Sequence, residues 1–87
     1  TRCLDNGAMG VVVPHVDTAE EAKAVVDAYR FPPTGHRSWG GPPFAYGLGA
    51  VNQAEAQAEL NAAILVVVMI ETPQAVANAE AIAAVPG

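Results

Sequence analysis

The sequence of 87 residues has only one cysteine and four basic residues, and both shortages restrict what the protein can do. Cys3 cannot form an internal disulfide and has no partner at metal-ligand spacing. Because the lysines and arginines are scattered, no basic patch can neutralise phosphates, and we expect no nucleic-acid partner. The longest apolar run, from Ala62 to Ile70, is too short to cross a bilayer. No signal-peptide pattern opens the sequence, which favours a cytoplasmic location and no membrane partner.

Hydrophobic residues make up 52% of the sequence, which indicates a folded chain rather than a disordered one. The first recognisable unit begins with an apolar, β-branched segment from Met9 to Val16, predicted to be a strand. A helix is predicted next, because Asp17 or Thr18 can cap it and apolar residues then recur every three to four positions. The segment Phe31-Pro32-Pro33 ends this helix, since the residue before a proline disfavours helical geometry.

A second strand and helix follow a long connection. Residues 34 to 51 contain five glycines and two prolines and are predicted to form a loop, and Asn52 to Asn61 a short alanine-rich helix. Ile64 to Ile70 is again continuously apolar and is predicted to be a strand. Glu71 closes that strand, and Thr72 with Pro73 has the pattern of a cap followed by the first residue of a helix.

The order strand, helix, loop with helix, strand, helix predicts an α/β fold with parallel strands and helical crossovers. Strands that are apolar throughout are typical of sheets covered on both faces. Two strands with these few helices cannot cover both faces and would leave two open edges. We therefore expect residues 1–87 to be the central fragment of a larger domain whose flanking strands lie outside this sequence.

Glu71 is the first candidate for chemistry, because it ends an apolar strand at the edge where parallel α/β folds carry their active sites. Carboxylate oxygens suit hard cations such as Mg²⁺ and Mn²⁺. The alternative is that Glu71 only benefits from the dipole of the helix that follows. His15 lies at the corresponding end of the first strand, where it is either a ligand, base or substrate contact, or a structural histidine at the rim.

Other candidates lie outside the strand ends. Asp5 precedes the first strand and is interpreted from the residues alone as part of a turn. In the glycine-rich loop, Arg37 could hold a carboxylate or phosphate through its planar guanidinium, or pair with a carbonyl or acidic residue. His36 lies beside it. The loop aromatics suggest packing on another surface, such as a second subunit; they are Trp39, Phe44 and Tyr46.

Four segments together resemble the HpcH/HpaI aldolase and citrate lyase family. They are LDNGAMGVVVP (4–14), TAEEA (18–22), FPPTGHRS (31–38) and IETPQA (70–75). The likeness runs over nearly the whole chain, in the family's order and with similar spacing. It implies a partial (β/α)₈ TIM barrel, with the two strands as the fourth and fifth of eight. Because a complete barrel needs about 250 residues, residues 1–87 would be the central fragment of a single TIM-barrel aldolase domain.

The resemblance also implies an activity. Such enzymes are class II aldolases, carbon–carbon lyases that reversibly cleave 4-hydroxy-2-oxo or 2-keto-3-deoxy acids to pyruvate and an aldehyde. A divalent metal, Mg²⁺ or Mn²⁺, acts as a Lewis acid and stabilises the enolate. Glu71 matches a metal-binding carboxylate, and Asp5 matches an aspartate that makes the catalytic histidine more basic. That histidine is expected before Thr1, and a second metal-binding aspartate after Gly87, so the fragment alone should be inactive.

The resemblance further implies a homo-oligomer, a hexamer in some members. Met69 departs from the pattern, since it stands where many members have a glutamine that contacts substrate, and a thioether cannot donate that hydrogen bond. Two alternatives stay open. One is an acyl-CoA lyase of the citrate lyase β or malyl-CoA type, and the other is a non-catalytic interaction domain in which Glu71 is only a capping residue.

Overall fold

The computed structural model describes residues 2–41, 47 and 49–87, and their order of strands and helices confirms the predicted α/β architecture. The elements are α1 (Arg2–Asp5), β1 (Gly10–Val13), α2 (Ala19–Tyr29), α3 (Gln53–Ala63), β2 (Leu65–Val68), α4 (Pro73–Ala77) and α5 (Ala79–Ala83). In the part of the chain that the structure describes, no helix is both long and apolar enough to span a bilayer.

Strands β1 and β2 form a two-stranded parallel sheet, as the sequence predicts. The register places Gly10 opposite Leu65 and Val13 opposite Val68. Helices α2 and α3 lie in the crossover between the strands. Because the strands are parallel, the loops after β1 and β2 meet at one edge of the sheet, which we call the carboxyl edge. The segments that enter the strands meet at the opposite, amino edge.

Both strands are shorter than predicted. The apolar segments cover residues 9–16 and 64–70, whereas each paired strand has four residues. Pro14 has no backbone N–H to continue the ladder, and His15 turns the chain with a φ of 57°. In both strands the run of apolar residues is therefore longer than the segment that is paired through backbone hydrogen bonds.

Side-chain caps define the starts of helices α2, α3 and α4. The caps are Thr18, Asn52 and Thr72, and each side-chain oxygen accepts a hydrogen bond from the backbone N–H three residues later. Pro73 follows as the first helical residue of α4. The predicted caps at Thr18 and Thr72 are confirmed, and the alanine-rich helix extends two residues beyond Asn61.

The final helical region is divided, although the sequence predicts a single helix after Glu71. Asn78 separates α4 from α5 and has φ −99° and ψ 6°. Its side-chain Nδ2 donates a 2.8 Å hydrogen bond to the backbone oxygen of Asp17, in the loop after β1. The break thus coincides with a contact from the junction of α4 and α5 to the loop after β1.

Two buried apolar clusters hold the elements together. The cluster nearer the amino edge contains Leu4, Phe31, Leu60 and Ile64. The cluster nearer the carboxyl edge contains Val16, Ala22, Ala75 and Ile82. The inward-facing strand residues pack on these clusters; they are Val11, Val13, Val66 and Val68. The helices therefore cover one face of the sheet.

Apolar side chains on the other face of the sheet are exposed. Leu65 is 64% exposed and Val12 is 62% exposed, with Val67 beside them. We call these three residues the open sheet face. The expectation that both faces are covered is thus met on one face only within the described residues, and an exposed apolar patch of this kind is typical of a packing surface.

The buried side chain of Arg30 connects several segments at the amino edge through hydrogen bonds. Its Nη1 donates to the backbone oxygens of Asn61 and Ile64 at 2.6 and 2.7 Å, and its Nη2 donates to Gly87 O at 2.5 Å. Asn61 in turn uses its side chain to bond both the backbone N–H and the carbonyl of Phe31. These contacts satisfy carbonyls at the end of α3 that the helix leaves unpaired. They join the end of α2 to the end of α3 and to the start of β2.

Candidate functional site

Glu71 and His15 meet at the carboxyl edge. Glu71 follows β2, and its Oε2 accepts a 3.1 Å hydrogen bond from the backbone N–H of His15, which follows β1. The imidazole Nδ1 of His15 lies 3.7 Å from the same oxygen. The His15 side chain is 78% exposed and that of Glu71 is 34% exposed, so both are accessible from solvent. The sequence separately identified the two residues as candidates, and the structure brings them together.

The backbone of His15 is in the left-handed region, with φ at 57°. For a residue with a Cβ this conformation costs about 1–2 kcal/mol, although histidine adopts it more often than most residues. The conformation turns the His15 N–H towards the loop after β2. Strain of this kind is concentrated at functional sites in proteins.

A second set of bonds joins the same two loops. Thr72 Oγ1 donates to Asp17 Oδ1 at 2.5 Å, while also accepting from the backbone N–H of Ala75. The Asp17 backbone oxygen accepts from Asn78, and its N–H donates to Glu21 Oε2 at 2.7 Å. The segment that follows Glu71 is therefore bonded to the loop after β1 at two positions, Thr72 and Asn78. Sequence reasoning treated Asp17 only as a cap and gave no role to Asn78.

The second carboxylate oxygen of Glu71, Oε1, has no hydrogen-bond partner among the described residues. An exposed carboxylate with one oxygen fixed and the other available fits the oxygen ligands preferred by Mg²⁺ and Mn²⁺. Residues 2–41, 47 and 49–87 contain no group of three or more histidine, cysteine, aspartate or glutamate side chains that could hold a metal. Among the described residues, Glu71 could therefore supply one oxygen ligand to a metal but not a complete set of ligands.

Met69 lies two residues before Glu71 on the same strand end. Its backbone N–H donates to Val13 O at 2.9 Å, the last bond of the strand ladder. The residue is 38% exposed and continues the alternation that exposes Leu65 and Val67. Met69 therefore lies beside the candidate site, at the border of the open sheet face.

Asp5 and Arg37 pair with each other at the amino edge. Arg37 Nη2 donates to Asp5 Oδ1 at 2.8 Å, and its guanidinium lies 4.4 Å from the centre of the Phe31 ring. The Arg37 side chain is 1% exposed, whereas that of Asp5 is 46% exposed. Because Asp5 precedes β1 and Glu71 follows β2, the parallel strands separate this pair from Glu71. The pairing of Arg37 with an acidic residue, the structural alternative in the sequence, is what the structure describes.

The other loop candidates pack near the end of α2. His36 lies 2.5 Å from Asp27 through Nδ1 and Oδ1, and both side chains are substantially exposed. Trp39 contacts Phe31 with ring centres 5.6 Å apart, while packing on a second subunit stays a prediction. The predictions for Phe44 and Tyr46 lie outside the described residues. None of these contacts involves the carboxyl edge.

Comparisons with known proteins agree with the resemblance found in the sequence. All of residues 1–87 match the family model described as HpcH/HpaI aldolase/citrate lyase. The chain is 47% identical to a 4-hydroxy-2-oxovalerate aldolase of Novosphingobium aromaticivorans, covering 97% of this chain and 31% of that protein. It is 42% identical to a 2-dehydro-3,6-dideoxy-6-sulfogluconate aldolase of Pseudomonas putida, covering 99% of this chain and 33% of that protein. The chain thus spans about a third of these curated relatives.

A solved structure shows the same local arrangement. The crystal structure of an HpcH/HpaI aldolase from Desulfitobacterium hafniense matches with a TM-score of 0.87 and 37% sequence identity. The match covers 97% of this chain and 32% of that one. Since the family model covers every residue and the relatives are named aldolases, the chain belongs to the HpcH/HpaI aldolase/citrate lyase family.

Proposed function

We propose that the full-length protein containing this chain is a class II aldolase that uses a divalent metal. Its reaction would cleave 4-hydroxy-2-oxo or 2-keto-3-deoxy acids reversibly to pyruvate and an aldehyde. The names of the relatives support this substrate class, since they include a 4-hydroxy-2-oxovalerate aldolase and a 2-dehydro-3,6-dideoxy-6-sulfogluconate aldolase. The residues described here would form one part of the site.

The observation that carries the proposal is the carboxylate of Glu71 at the carboxyl edge. Its Oε2 is held by the His15 N–H, and Oε1 is available in the described part of the chain. Carboxyl ends of parallel strands are where barrels and doubly wound sheets bind ligands. A fixed, partly exposed carboxylate at that edge is suited to hold a hard cation.

In this proposal Glu71 supplies one ligand to Mg²⁺ or Mn²⁺. When bound, the metal would supply Lewis-acid stabilisation of the negative charge that develops on the 2-oxo acid. The protein's own contribution at this edge is to hold Glu71 in place through His15 and through the bond from Thr72 to Asp17. Met69 would contact substrate by apolar packing, because its thioether lacks the donor of an amide.

The open sheet face supports a larger fold. We propose that the two strands are the fourth and fifth of a (β/α)₈ barrel and that the open face points into the barrel interior. Layers of branched apolar side chains fill such interiors, and Val12, Leu65 and Val67 have that character. The catalytic histidine and the second metal-binding aspartate would come from other parts of the barrel.

Two roles are predicted for residues that lie at the amino edge: the resemblance implies one for Asp5, and guanidinium chemistry suggests one for Arg37. Asp5 as a support for the catalytic histidine and Arg37 as a substrate contact would both require reaching the opposite edge from the position of their mutual ion pair. Assembly into a homo-oligomer, such as a hexamer, is likewise part of the proposal. Light scattering of the full-length protein would measure it.

The proposed activity can be tested on the full-length protein by following pyruvate release from a 4-hydroxy-2-oxo acid. We expect EDTA to abolish release and Mg²⁺ or Mn²⁺ to restore it. Glu71→Gln should lower kcat/KM by about a hundredfold or more, since it removes a charge that holds the metal. Glu80→Gln, at an exposed position on α5, is the matched control and should behave as the parent protein. Full activity in Glu71→Gln would contradict the proposal.

The family description also includes citrate lyase, so an acyl-CoA substrate is the second candidate. The relatives compared above are named as aldolases of free oxo acids, which favours the first. Offering the same enzyme a 3-hydroxyacyl-CoA thioester separates the two. We expect no release of acetyl-CoA; cleavage of the carbon–carbon bond of this substrate to acetyl-CoA, at a rate above that of the free oxo acid, would reverse the assignment.

A further inference from the structure

His15 occupies a backbone conformation that a glycine would adopt more easily. It is the only non-glycine residue with positive φ in the described part of the chain. The residue before it, Pro14, has no backbone N–H and ends the β1 ladder. The conformation of His15 is therefore not imposed by a hydrogen bond to the neighbouring strand. The conformation places the His15 N–H against Glu71 Oε2 at 3.1 Å, across the two loops of the carboxyl edge.

That hydrogen bond restricts a group that is otherwise free to rotate. The terminal torsion of a glutamate is broad, so the direction of its two oxygens is set by what they contact. A bond from an N–H to an ionised carboxylate is stronger than one between neutral groups. With Oε2 bonded to His15, the rotation of the Glu71 carboxylate is restricted and Oε1 is the oxygen left for another contact.

The loops around His15 and Glu71 are joined by further hydrogen bonds. A change in the backbone of His15 should therefore not be relieved by movement of these loops. Thr72, next to Glu71, is bonded to Asp17, two residues beyond His15. Asn78 holds the same Asp17 through its backbone oxygen. A residue at position 15 that rejects the left-handed conformation would therefore move its N–H away from Glu71 Oε2, and the carboxylate would lose the bond that restricts its rotation.

We propose that His15 is a positioning residue for the metal-binding carboxylate, acting through its backbone N–H. Its left-handed conformation fixes Glu71 Oε2 and leaves Oε1 to bind the divalent cation. This inference rests on the proposed function, because it requires Glu71 to hold a metal. Partners that orient a metal ligand commonly change metal affinity by about 10–100-fold when they are lost.

Substitutions at position 15 separate the backbone from the side chain. In the full-length protein, His15→Gly keeps the N–H and the left-handed conformation but removes the imidazole, and His15→Asn keeps a residue tolerant of that conformation. His15→Val disfavours it, because a β-branched residue is a poor fit to positive φ. His15→Ala is the milder test should the valine variant not fold. Mn²⁺ dissociation constants would be measured by calorimetry on metal-free protein, with circular dichroism to check folding.

We expect His15→Gly and His15→Asn to bind Mn²⁺ within about threefold of the parent protein, and His15→Val or His15→Ala to bind about tenfold more weakly. Combined with Glu71→Gln, His15→Val should add no further loss. Weak binding in His15→Gly would assign the effect to the imidazole and overturn the proposal, as would parent-like binding in His15→Val and His15→Ala. If Glu71→Gln alone binds Mn²⁺ normally, the metal assignment itself fails, which is a distinguishable result.

Discussion

Thr72 Oγ1 lies 2.5 Å from Asp17 Oδ1, so the residue that caps α4 is also bonded to the loop after β1. The same hydroxyl accepts from the Ala75 N–H within the cap. One side chain therefore starts a helix and joins the two loops that surround Glu71. Local helix chemistry and the geometry of the candidate site depend on the same atom.

Removing the Thr72 hydroxyl should weaken both functions of this side chain. Thr72→Val keeps the shape but loses the cap and the bond to an ionised acceptor, and we expect the free energy of unfolding to fall by about 1–3 kcal/mol. Thr72→Ser keeps the hydroxyl and should stay within about 0.5 kcal/mol of the parent. Urea unfolding of the metal-free, full-length protein measures both. Equal stability of the two variants would show that the bond contributes little.

The pair formed by Asp5 and Arg37 should contribute to stability rather than to turnover. Arg37 Nε and Nη1 are buried and have no hydrogen-bond partner within the described residues, so Asp5 is the acidic partner described for this guanidinium. We expect Asp5→Asn to lower the free energy of unfolding by about 1–3 kcal/mol, because a buried guanidinium loses its charged acceptor. This loss of unfolding free energy is smaller than that expected for breaking a fully buried ion pair, since Asp5 is half exposed.

The same variant separates the structural role of Asp5 from the catalytic role that the family resemblance implies. In the structural account, kcat at saturating metal and substrate changes by less than about threefold in Asp5→Asn. Unchanged stability with a large fall in kcat would instead favour a role in supporting the catalytic histidine. Arg37→Met removes the other partner of the same pair. In the double variant its effect on the free energy of unfolding should not add to that of Asp5→Asn.

Gly35 is required by a close approach of backbone atoms. A Cβ at this position would lie 2.6 Å from both Arg30 O and Asp27 O, which cannot move without disturbing the end of α2. Gly35→Ala should therefore lower the free energy of unfolding by more than about 2 kcal/mol. Gly40, where a Cβ would meet no atom within 4 Å, is the matched control, and Gly40→Ala should be close to neutral. Thermal unfolding of the two variants compares them, and equal melting temperatures would contradict the described turn.

The open sheet face should not tolerate a charged side chain if it lies in the interior of a barrel. If this face lies in the interior of the complete fold, Val12→Asp buries an unpaired charge and should prevent folding or lower stability by more than about 4 kcal/mol. Ala58→Asp, at an exposed position on α3, is expected to be nearly neutral. Soluble yield and circular dichroism of the full-length variants give the comparison. Normal folding of Val12→Asp would place this face on the outside.

Features that depend on nearby residues could be predicted from the sequence. The strands follow from runs of apolar, β-branched residues, and the caps Thr18 and Thr72 follow from their position before helix-forming segments. The position of Glu71 at a strand end likewise needs only the strand and the helix after it. In each case the physical cause acts over a few residues, so the pattern is visible in the chain itself.

Features that depend on distant residues could not be predicted in the same way. The bonds between Arg30 and Ile64 and between Phe31 and Asn61 join positions about thirty residues apart and exist only because the ends of α2 and α3 pack together. The left-handed turn at His15 has no sequence signal, since histidine does not require it. Nor could the sequence separate Arg37 from the carboxyl edge, because its guanidinium chemistry fits an ion pair and a ligand contact equally well.

Binding of a divalent metal by Glu71 can be measured by calorimetric titration of metal-free, full-length protein with Mn²⁺. We expect saturable binding in the parent protein and in Glu80→Gln, and binding weaker by more than about a hundredfold in Glu71→Gln, since losing even a ligand's hydrogen-bonding partner costs about 10–100-fold. Equal Mn²⁺ affinity in Glu71→Gln and the parent protein would contradict metal binding by Glu71.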